Sequence, residues 1–279
     1  MGAEFLRVSD FAPAWQGLAP IARIAVFLLV WLVAWLPLAI VLGRRLGWQF
    51  PQHPTPAQKL PLVLSLYAWA PALLWAAATL SRQSWQGAYG WFWTWAFVGQ
   101  VVLGLGLGLG SLVLLWGLAR SRQWLTLTIS WPQLLGLAPL ILLVALIISS
   151  VEELVFRGFL IGELGHSVGG WAAIALANLL FALLHLPWEP LRTGLPQLPG
   201  LWVMGLVLSV SVIKTGDLGL AVGLHGGWVW AIASLDAVAA LQYTDKLPTW
   251  VMGHNGNLTA GLLGIGFLSL MGAGLWAWP

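Results

Sequence analysis

Residues 140–158 have the sequence LILLVALIISSVEELVFRG, in which an apolar run leads directly into Glu152, Glu153 and Arg157. About 20 apolar residues cross a hydrocarbon core of about 30 Å as a helix, and this run reaches that length together with the residues before it. An ionised group near the bilayer centre costs about 2.5–3.5 kcal/mol, so ionisable residues inside a span are candidates for a functional role. The stretch therefore predicts a membrane-embedded fold and an internal use for its charges.

The composition of the whole chain predicts the same environment. Charged residues make up 8% of the 279 residues and hydrophobic residues 59%, with a mean hydropathy of +0.87. Soluble domains carry roughly 25% charged residues, so lipid must be the solvent for much of this surface, and the bilayer is the first predicted partner. The few basic residues flank apolar runs and fit membrane topology, which argues against a nucleic-acid partner. The chain has no cysteine, which excludes disulfides, thiol nucleophiles and thiolate metal sites.

The apolar runs predict an all-α, polytopic membrane helix bundle of about eight transmembrane helices, or seven if one short segment is re-entrant. About three of the helices fall in residues 1–130, where no chemistry is readable, and residues 131–279 hold the candidate catalytic core and the last helix. We expect an integral multi-pass protein, with the bacterial plasma membrane as its preferred location. The predicted spans are residues 21–42, 60–80, 91–118, 131–164, 171–186, 198–213, 218–235 and 258–278.

Helix geometry predicts different roles for the charges of the first motif. Glu153 and Arg157 are four residues apart, so they share a helix face and can pair. Glu152 is rotated by about 100° from Glu153 and can face a reactive centre instead. The alternative is that all three residues only hold neighbouring helices together.

Two further motifs place histidine in apolar segments. Asn178, Phe181 and His185 follow the spacing of one helical stripe, and His185 ends its span just before Pro187. Each histidine motif taken alone is also compatible with a satisfied interior residue.

The other motif contains His225, which is followed by Gly226 and Gly227. These glycines leave room for a substrate backbone or for another helix to approach closely.

Together the three motifs are similar to the signature of the CAAX prenyl protease and bacteriocin-processing family, also called the Abi family. Its Glu-Glu-x-x-x-Arg, Phe-x-x-x-His and final His motifs correspond to Glu152–Arg157, Phe181–His185 and His225, in the same order and on separate hydrophobic segments. The resemblance covers roughly residues 130–235.

The resemblance implies an intramembrane endopeptidase in which Glu152 and His185 activate a water. The substrate would be a peptide bond near the C-terminus of a membrane-associated protein or peptide, prenylated in some members. The family's final His and an Asn four residues later stabilise the oxyanion, but Val229 stands at that fourth position after His225. Asn178 is our hypothesis for a replacement donor. The predicted catalytic residues are Glu152, Glu153, Arg157, His185 and His225, with Asn178 and Phe181 in supporting roles.

Three alternatives remain at this level. Glu152, His185 and His225 have donor atoms that suit zinc, although the chain has no His-Glu-x-x-His motif and the resemblance implies no metal or cofactor. The same fold could also serve a transporter that uses Glu152 and His185 as a proton relay. A non-enzymatic scaffold is the third alternative, and Val229 is the residue that favours it.

Overall fold

The computed structural model describes residues 8–244, 246–253 and 257–278 and is mostly helical over them. Two short strands, β1 (Leu125–Leu127) and β2 (Leu241–Tyr243), pair antiparallel with Leu125 opposite Tyr243. The helices are α1 (Ala12–Gln16), α2 (Pro20–Arg45), α3 (Pro56–Tyr67), α4 (Ala70–Leu80), α5 (Trp85–Tyr89), α6 (Trp95–Ser121), α7 (Trp131–Glu153), α8 (Ile161–Val168), α9 (Gly170–Leu183), α10 (Leu191–Gly194), α11 (Leu198–Thr215), α12 (Gly219–Ala237), α13 (Thr249–Met252) and α14 (Leu262–Ala277).

The predicted all-α, polytopic membrane fold is confirmed, but the count of eight spans is not. Helix α14 is apolar but has only 16 residues, and α12 is outside the set of helices long and apolar enough to cross a membrane. Helix α12 is less apolar than the helices of that set because His225 and several glycines stand in place of aliphatic residues. Much of this helix is buried by protein. In the described part of the chain, that set is Pro20–Arg45, Pro56–Leu80, Trp95–Ser121, Trp131–Val168, Gly170–Trp188 and Leu191–Thr215.

Two predicted spans differ in their internal structure. The segment predicted at residues 60–80 is two helices, because Pro71 has no N–H to donate to the carbonyl of Tyr67, where α3 ends. The segment predicted at residues 131–164 continues to Val168 and contains a π-helical stretch, Leu154–Leu160, between α7 and α8. Such wider turns are uncommon and often mark functional sites.

The first of two packing units consists of Met1–Trp91 and Leu154–Ala177. In it, α2 packs against α3, α4 and α8. The ring of Phe159, from the π-helical stretch, lies 4.4 Å from the ring of Phe27 and 6.5 Å from that of Tyr89, between centroids. Aromatic packing therefore holds the π-helical stretch against α2 and α5.

The second packing unit consists of Phe92–Glu153 and Asn178–Pro279. Helix α12 is its centre and packs against α6, α7 and α11, while α11 also packs against α14. The predicted boundary near residue 130 separates helices without readable chemistry from the candidate catalytic core. The packing units do not test that boundary, because they are defined by contacts and not by chemistry.

Glycines bring α6 and α12 into backbone contact. Four glycines alternate along α6, and a Cβ on Gly104 would lie 2.5 Å from the carbonyl oxygen of Leu220, while Gly108 meets α12 equally closely one turn later. A Cβ on Gly106 or Gly110 would have no atom of another element within 4 Å. The small residues therefore serve helix packing on one face of α6 only.

We predict that Gly104→Ala lowers the free energy of unfolding by about 1–3 kcal/mol, because the added methyl group must push α12 away. Gly106→Ala is the matched control on the same helix and should be neutral or stabilising, since Ala is a better helix former by about 0.8–1 kcal/mol. Thermal unfolding of both variants in the same detergent measures the difference. Equal melting temperatures would contradict the close contact.

Candidate active site

His225 lies in the buried part of α12, and its side chain reaches α7. Only 3% of the residue is exposed. The next residue, Gly226, approaches α7 so closely that its Cβ would be 3.1 Å from the hydroxyl oxygen of Ser149. The absence of a side chain at position 226 therefore lets α7 and α12 approach each other beside the histidine.

Both acidic residues at the end of α7 contact the imidazole of His225. Nδ1 of His225 is 2.8 Å from Oε1 of Glu153, and Nε2 is 3.5 Å from Oε2 of Glu152. A carboxylate only accepts hydrogen bonds, so the short contact places a proton on Nδ1, which donates it to Glu153. The two ring nitrogens point in different directions, which allows carboxylates on successive helix positions to meet one ring.

The two carboxylates differ in accessibility. Glu153 is fully buried, whereas 8% of Glu152 is exposed. Both carboxylates are therefore buried, and Glu152 is the one with part of its surface open. Its predicted role in proton exchange stays a prediction.

The second motif ends α9 and fixes the orientation of His185. Nδ1 of His185 is 2.8 Å from the carbonyl oxygen of Phe181, one turn earlier. A carbonyl oxygen can only accept, so Nδ1 carries a proton and donates it. In the neutral ring, Nε2 then holds the lone pair and is the nitrogen that can act as a base.

The Phe181 ring links the second and third motifs. It is fully buried, and its centroid lies 4.8 Å from the His185 ring and 6.1 Å from the His225 ring, with both contacts edge-on. All these residues, together with Glu152 and Glu153, belong to the second packing unit. Phe181 therefore lies against both histidines, and His225 in turn contacts Glu152 and Glu153.

Asn178 is fully buried and engaged between α9 and α11. Its Nδ2 donates to the hydroxyl of Ser209 at 2.9 Å, and that hydroxyl donates to the carbonyl of Gly205 at 3.0 Å. The oxyanion role of Asn178 stays a prediction, and packing of α9 on α11 is the role that these bonds support. Ser209 could not be singled out from the sequence, because a serine in an apolar helix commonly bonds only its own backbone.

Two further residues from the sequence motifs are Arg157 and Val229. Arg157 is 5% exposed and belongs to the π-helical stretch of the first packing unit, so its predicted pairing with Glu153 stays a prediction. Val229 is half-buried one turn after His225 and offers no hydrogen-bond donor. The histidine motif therefore lacks the amide that the family pattern has there.

Among the residues that the structure describes, no three His, Asp or Glu side chains are grouped so that they could hold a metal ion. Glu152, His185 and His225, the zinc ligands that the sequence offers as an alternative, are not such a group in this arrangement. Metal analysis of the purified protein tests the zinc alternative directly.

Comparison with known proteins identifies one family. Residues 134–231 match the model of the type II CAAX prenyl endopeptidase Rce1-like family. This segment includes all three motifs, from the carboxylates of α7 to His225 on α12. No curated protein and no solved structure matches the chain. The predicted resemblance to the CAAX prenyl protease family is thereby confirmed over residues 134–231.

Proposed function

We propose that the protein is an intramembrane endopeptidase that hydrolyses a peptide bond near the C-terminus of a membrane-associated protein or peptide. The matched family is one of peptidases, which supports peptidase activity in general, and the apolar helices support an integral membrane protein with lipid around it. The observation that carries the proposal is that Glu152 and Glu153 both contact His225 among apolar helices, while the Phe181 ring lies against both His225 and His185.

Glu152 and His185 are the proposed water-activating residues. Glu152 is the accessible carboxylate, and His185 presents an unprotonated Nε2 because its Nδ1 donates to the backbone. Glu152 accepts a proton from water while the water oxygen bonds to the carbonyl carbon of the substrate. The tetrahedral intermediate then collapses, the C–N bond breaks, and the proton held by Glu152 passes to the leaving amine. General acid–base help of this kind is typically worth 10²–10⁴-fold in rate.

His225 and Glu153 form the proposed electrostatic support. Glu153 accepts the Nδ1 proton of His225, so Nε2 is directed towards Glu152. When Nε2 is also protonated, its N–H can stabilise the Glu152 carboxylate or the developing oxyanion. Glu153 is therefore a positioning residue in this proposal.

The family description, which names CAAX prenyl endopeptidases, supports the proposed substrate class. We propose a membrane-anchored substrate with a short C-terminal tail, prenylated in the form that this family processes. A tail of this kind can reach a buried catalytic group because its lipid anchor already lies in the bilayer.

A non-enzymatic scaffold is the second candidate, and Val229 is the observation that favours it. The oxyanion site has one donor fewer than the family pattern, and loss of one such donor typically costs 10²–10³-fold in turnover. A scaffold would keep its function when Glu152 is neutralised, whereas a peptidase would not.

We expect purified protein to cleave a fluorogenic prenylated peptide and Glu152→Gln to lower kcat by about 10²–10⁴-fold, because Gln cannot accept the proton of the attacking water. Asp236→Asn is the matched control, since it removes one carboxyl group from the end of α12, roughly 16 Å along the helix from His225. Its activity should equal that of the wild type. The cleavage should survive a strong chelator.

Equal activity of wild type and Glu152→Gln would overturn the mechanism. Loss of wild-type activity with chelator and its recovery with added zinc would favour the metalloprotease instead. Absence of cleavage for every prenylated and unprenylated tail tested would favour the scaffold.

Glu153→Gln should lower kcat by about 10–100-fold with KM nearly unchanged, because His225 loses the carboxylate that orients it. The split between kcat and KM, measured together with the melting temperature, separates positioning from a merely structural role. A variant that keeps its melting temperature and KM while kcat falls supports positioning. Loss of kcat in step with loss of folded protein would leave Glu153 only a structural role.

A further inference from the structure

Two neighbouring cavities lie in the first packing unit. One, the apolar groove, has a volume of about 430 Å³ and is bordered by Trp15, Val26, Val30, Leu73, Ala77 and Leu80. The other, the polar cavity, has a volume of about 230 Å³ and is bordered by Ser81, Gln83, Tyr89, Glu163 and His166. Ligand sites commonly have volumes of about 300–1,000 Å³, so the two together are large enough for a bound small molecule.

The end of α4 joins the two cavities. Leu80 borders the apolar groove and Ser81 borders the polar cavity. The indole of Trp15, which borders the groove, donates to the hydroxyl of Ser81 at 2.9 Å, so a hydrogen bond fixes the rim at which the two cavities meet. A molecule with an apolar part and a polar part can occupy both at once.

The polar cavity lies at the ends of the apolar helices. Helix α4 ends at Leu80, the apolar stretch that includes α8 ends at Val168, and α2 begins at Pro20. Arg23, in the first turn of α2, holds these ends together because its Nη1 is 3.4 Å from Oε2 of Glu163. The ends of membrane helices lie at the level of the lipid headgroups.

The apolar groove runs from that level into the hydrocarbon region. It descends along α4 from Leu80 to Leu73, which is about 10 Å at 1.5 Å per residue. Along α2 it is bordered by Val26 and Val30, which are 39% and 45% exposed. The groove is therefore open towards lipid over about two helical turns.

The polar cavity offers a carboxylate together with hydrogen-bonding groups. Glu163 and His166 are one turn apart on α8, and Gln83 lies across the cavity. Within the described residues, the side chains of His166 and Gln83 make no hydrogen bond to protein, and Glu163 bonds only to Arg23.

Tyr89 borders the polar cavity, but its hydroxyl already donates to protein. Burial, and secondarily the nearby charge of Glu163, raises the pKa of its phenol. Its hydroxyl donates to the carbonyl of Leu74 at 2.8 Å. A ligand in this cavity therefore has Glu163, His166, Gln83 and Ser81 as its polar contacts.

We propose that the apolar groove and the polar cavity form one binding site for a phospholipid whose headgroup carries a primary ammonium beside its phosphodiester. An acyl chain fills the groove, the ammonium group donates to Glu163, and the phosphodiester accepts from His166 and Gln83. The site is independent of the proposed peptidase chemistry, because it involves none of the residues of the candidate active site.

The headgroup assignment rests on charge and on hydrogen-bond capacity. Glu163 already shares its charge with Arg23, so the cavity is close to neutral and suits a zwitterion better than an anionic headgroup. A quaternary amine has no N–H to donate to the carboxylate, whereas a primary ammonium has three. Phosphatidylethanolamine should therefore bind more tightly than phosphatidylcholine or phosphatidylglycerol with the same acyl chains.

Native mass spectrometry of the purified, delipidated full chain tests this assignment. The probe is an equimolar mixture of phosphatidylethanolamine, phosphatidylcholine and phosphatidylglycerol with identical chains. One equivalent of phosphatidylethanolamine should be retained with a preference of about ten-fold, the typical worth of a charge-assisted hydrogen bond. Glu163→Gln should abolish the preference, while Asp236→Asn, which removes a carboxyl group from the other packing unit, should keep it.

Ala76→Trp provides a second variant that leaves Glu163 and Arg23 intact. Ala76 borders the apolar groove, so the indole should fill it and reduce retention of all three lipids. Equal retention of the three lipids by the wild type would overturn the headgroup assignment. An unchanged preference in folded Glu163→Gln, or unchanged retention in folded Ala76→Trp, would overturn the site.

Discussion

Helix α12 lies in backbone contact with α6 and close to α7, and the position of His225 depends on both approaches. Gly104 on α6 and Gly226 on α12 leave no room for a side chain at these contacts. With larger residues the helices would separate, and the 2.8 Å contact between His225 and Glu153 would lengthen beyond hydrogen-bonding distance. In a membrane, where apolar surfaces gain little by association, such close packing is the main source of helix–helix affinity.

The buried carboxylates at the end of α7 are tolerable because the imidazole of His225 contacts both of them. Two adjacent carboxylates without a counter-group would be expensive inside a helix bundle, and removing one partner of a buried pair typically costs 3–5 kcal/mol. Each ring nitrogen of His225 lies near one of the two carboxylates, and the Phe181 ring of α9 packs against the His225 ring. The same arrangement that makes the charges tolerable gives Glu152 and Glu153 different environments. One accessible and one enclosed carboxylate around a single imidazole is an arrangement suited to proton transfer.

The sequence predicted the helices because the length of an apolar run is a local pattern. The expectation that the three motifs form one site came from the resemblance to the CAAX prenyl protease family, since residues far apart in sequence cannot be grouped from local patterns. The carboxylate that lies closer to His225 could not be predicted, because it depends on the register between α7 and α12. Nor could the contact of Asn178 with Ser209, which joins helices 31 residues apart in sequence. The π-helical stretch after Glu153 was missed as well, since its residues have the same apolar pattern as an α-helix.

In the proposed mechanism, Glu153 holds the Nδ1 proton of His225 and thereby directs Nε2 towards Glu152. Nitrogen NMR of protein labelled with ¹⁵N-histidine tests it most directly, with the His225 signals assigned by comparison with His225→Gln. At neutral pH we predict a protonated, hydrogen-bonded Nδ1 whose signal changes in Glu153→Gln. A His225 ring with an unprotonated Nδ1, or a signal unaffected by Glu153→Gln, would contradict it.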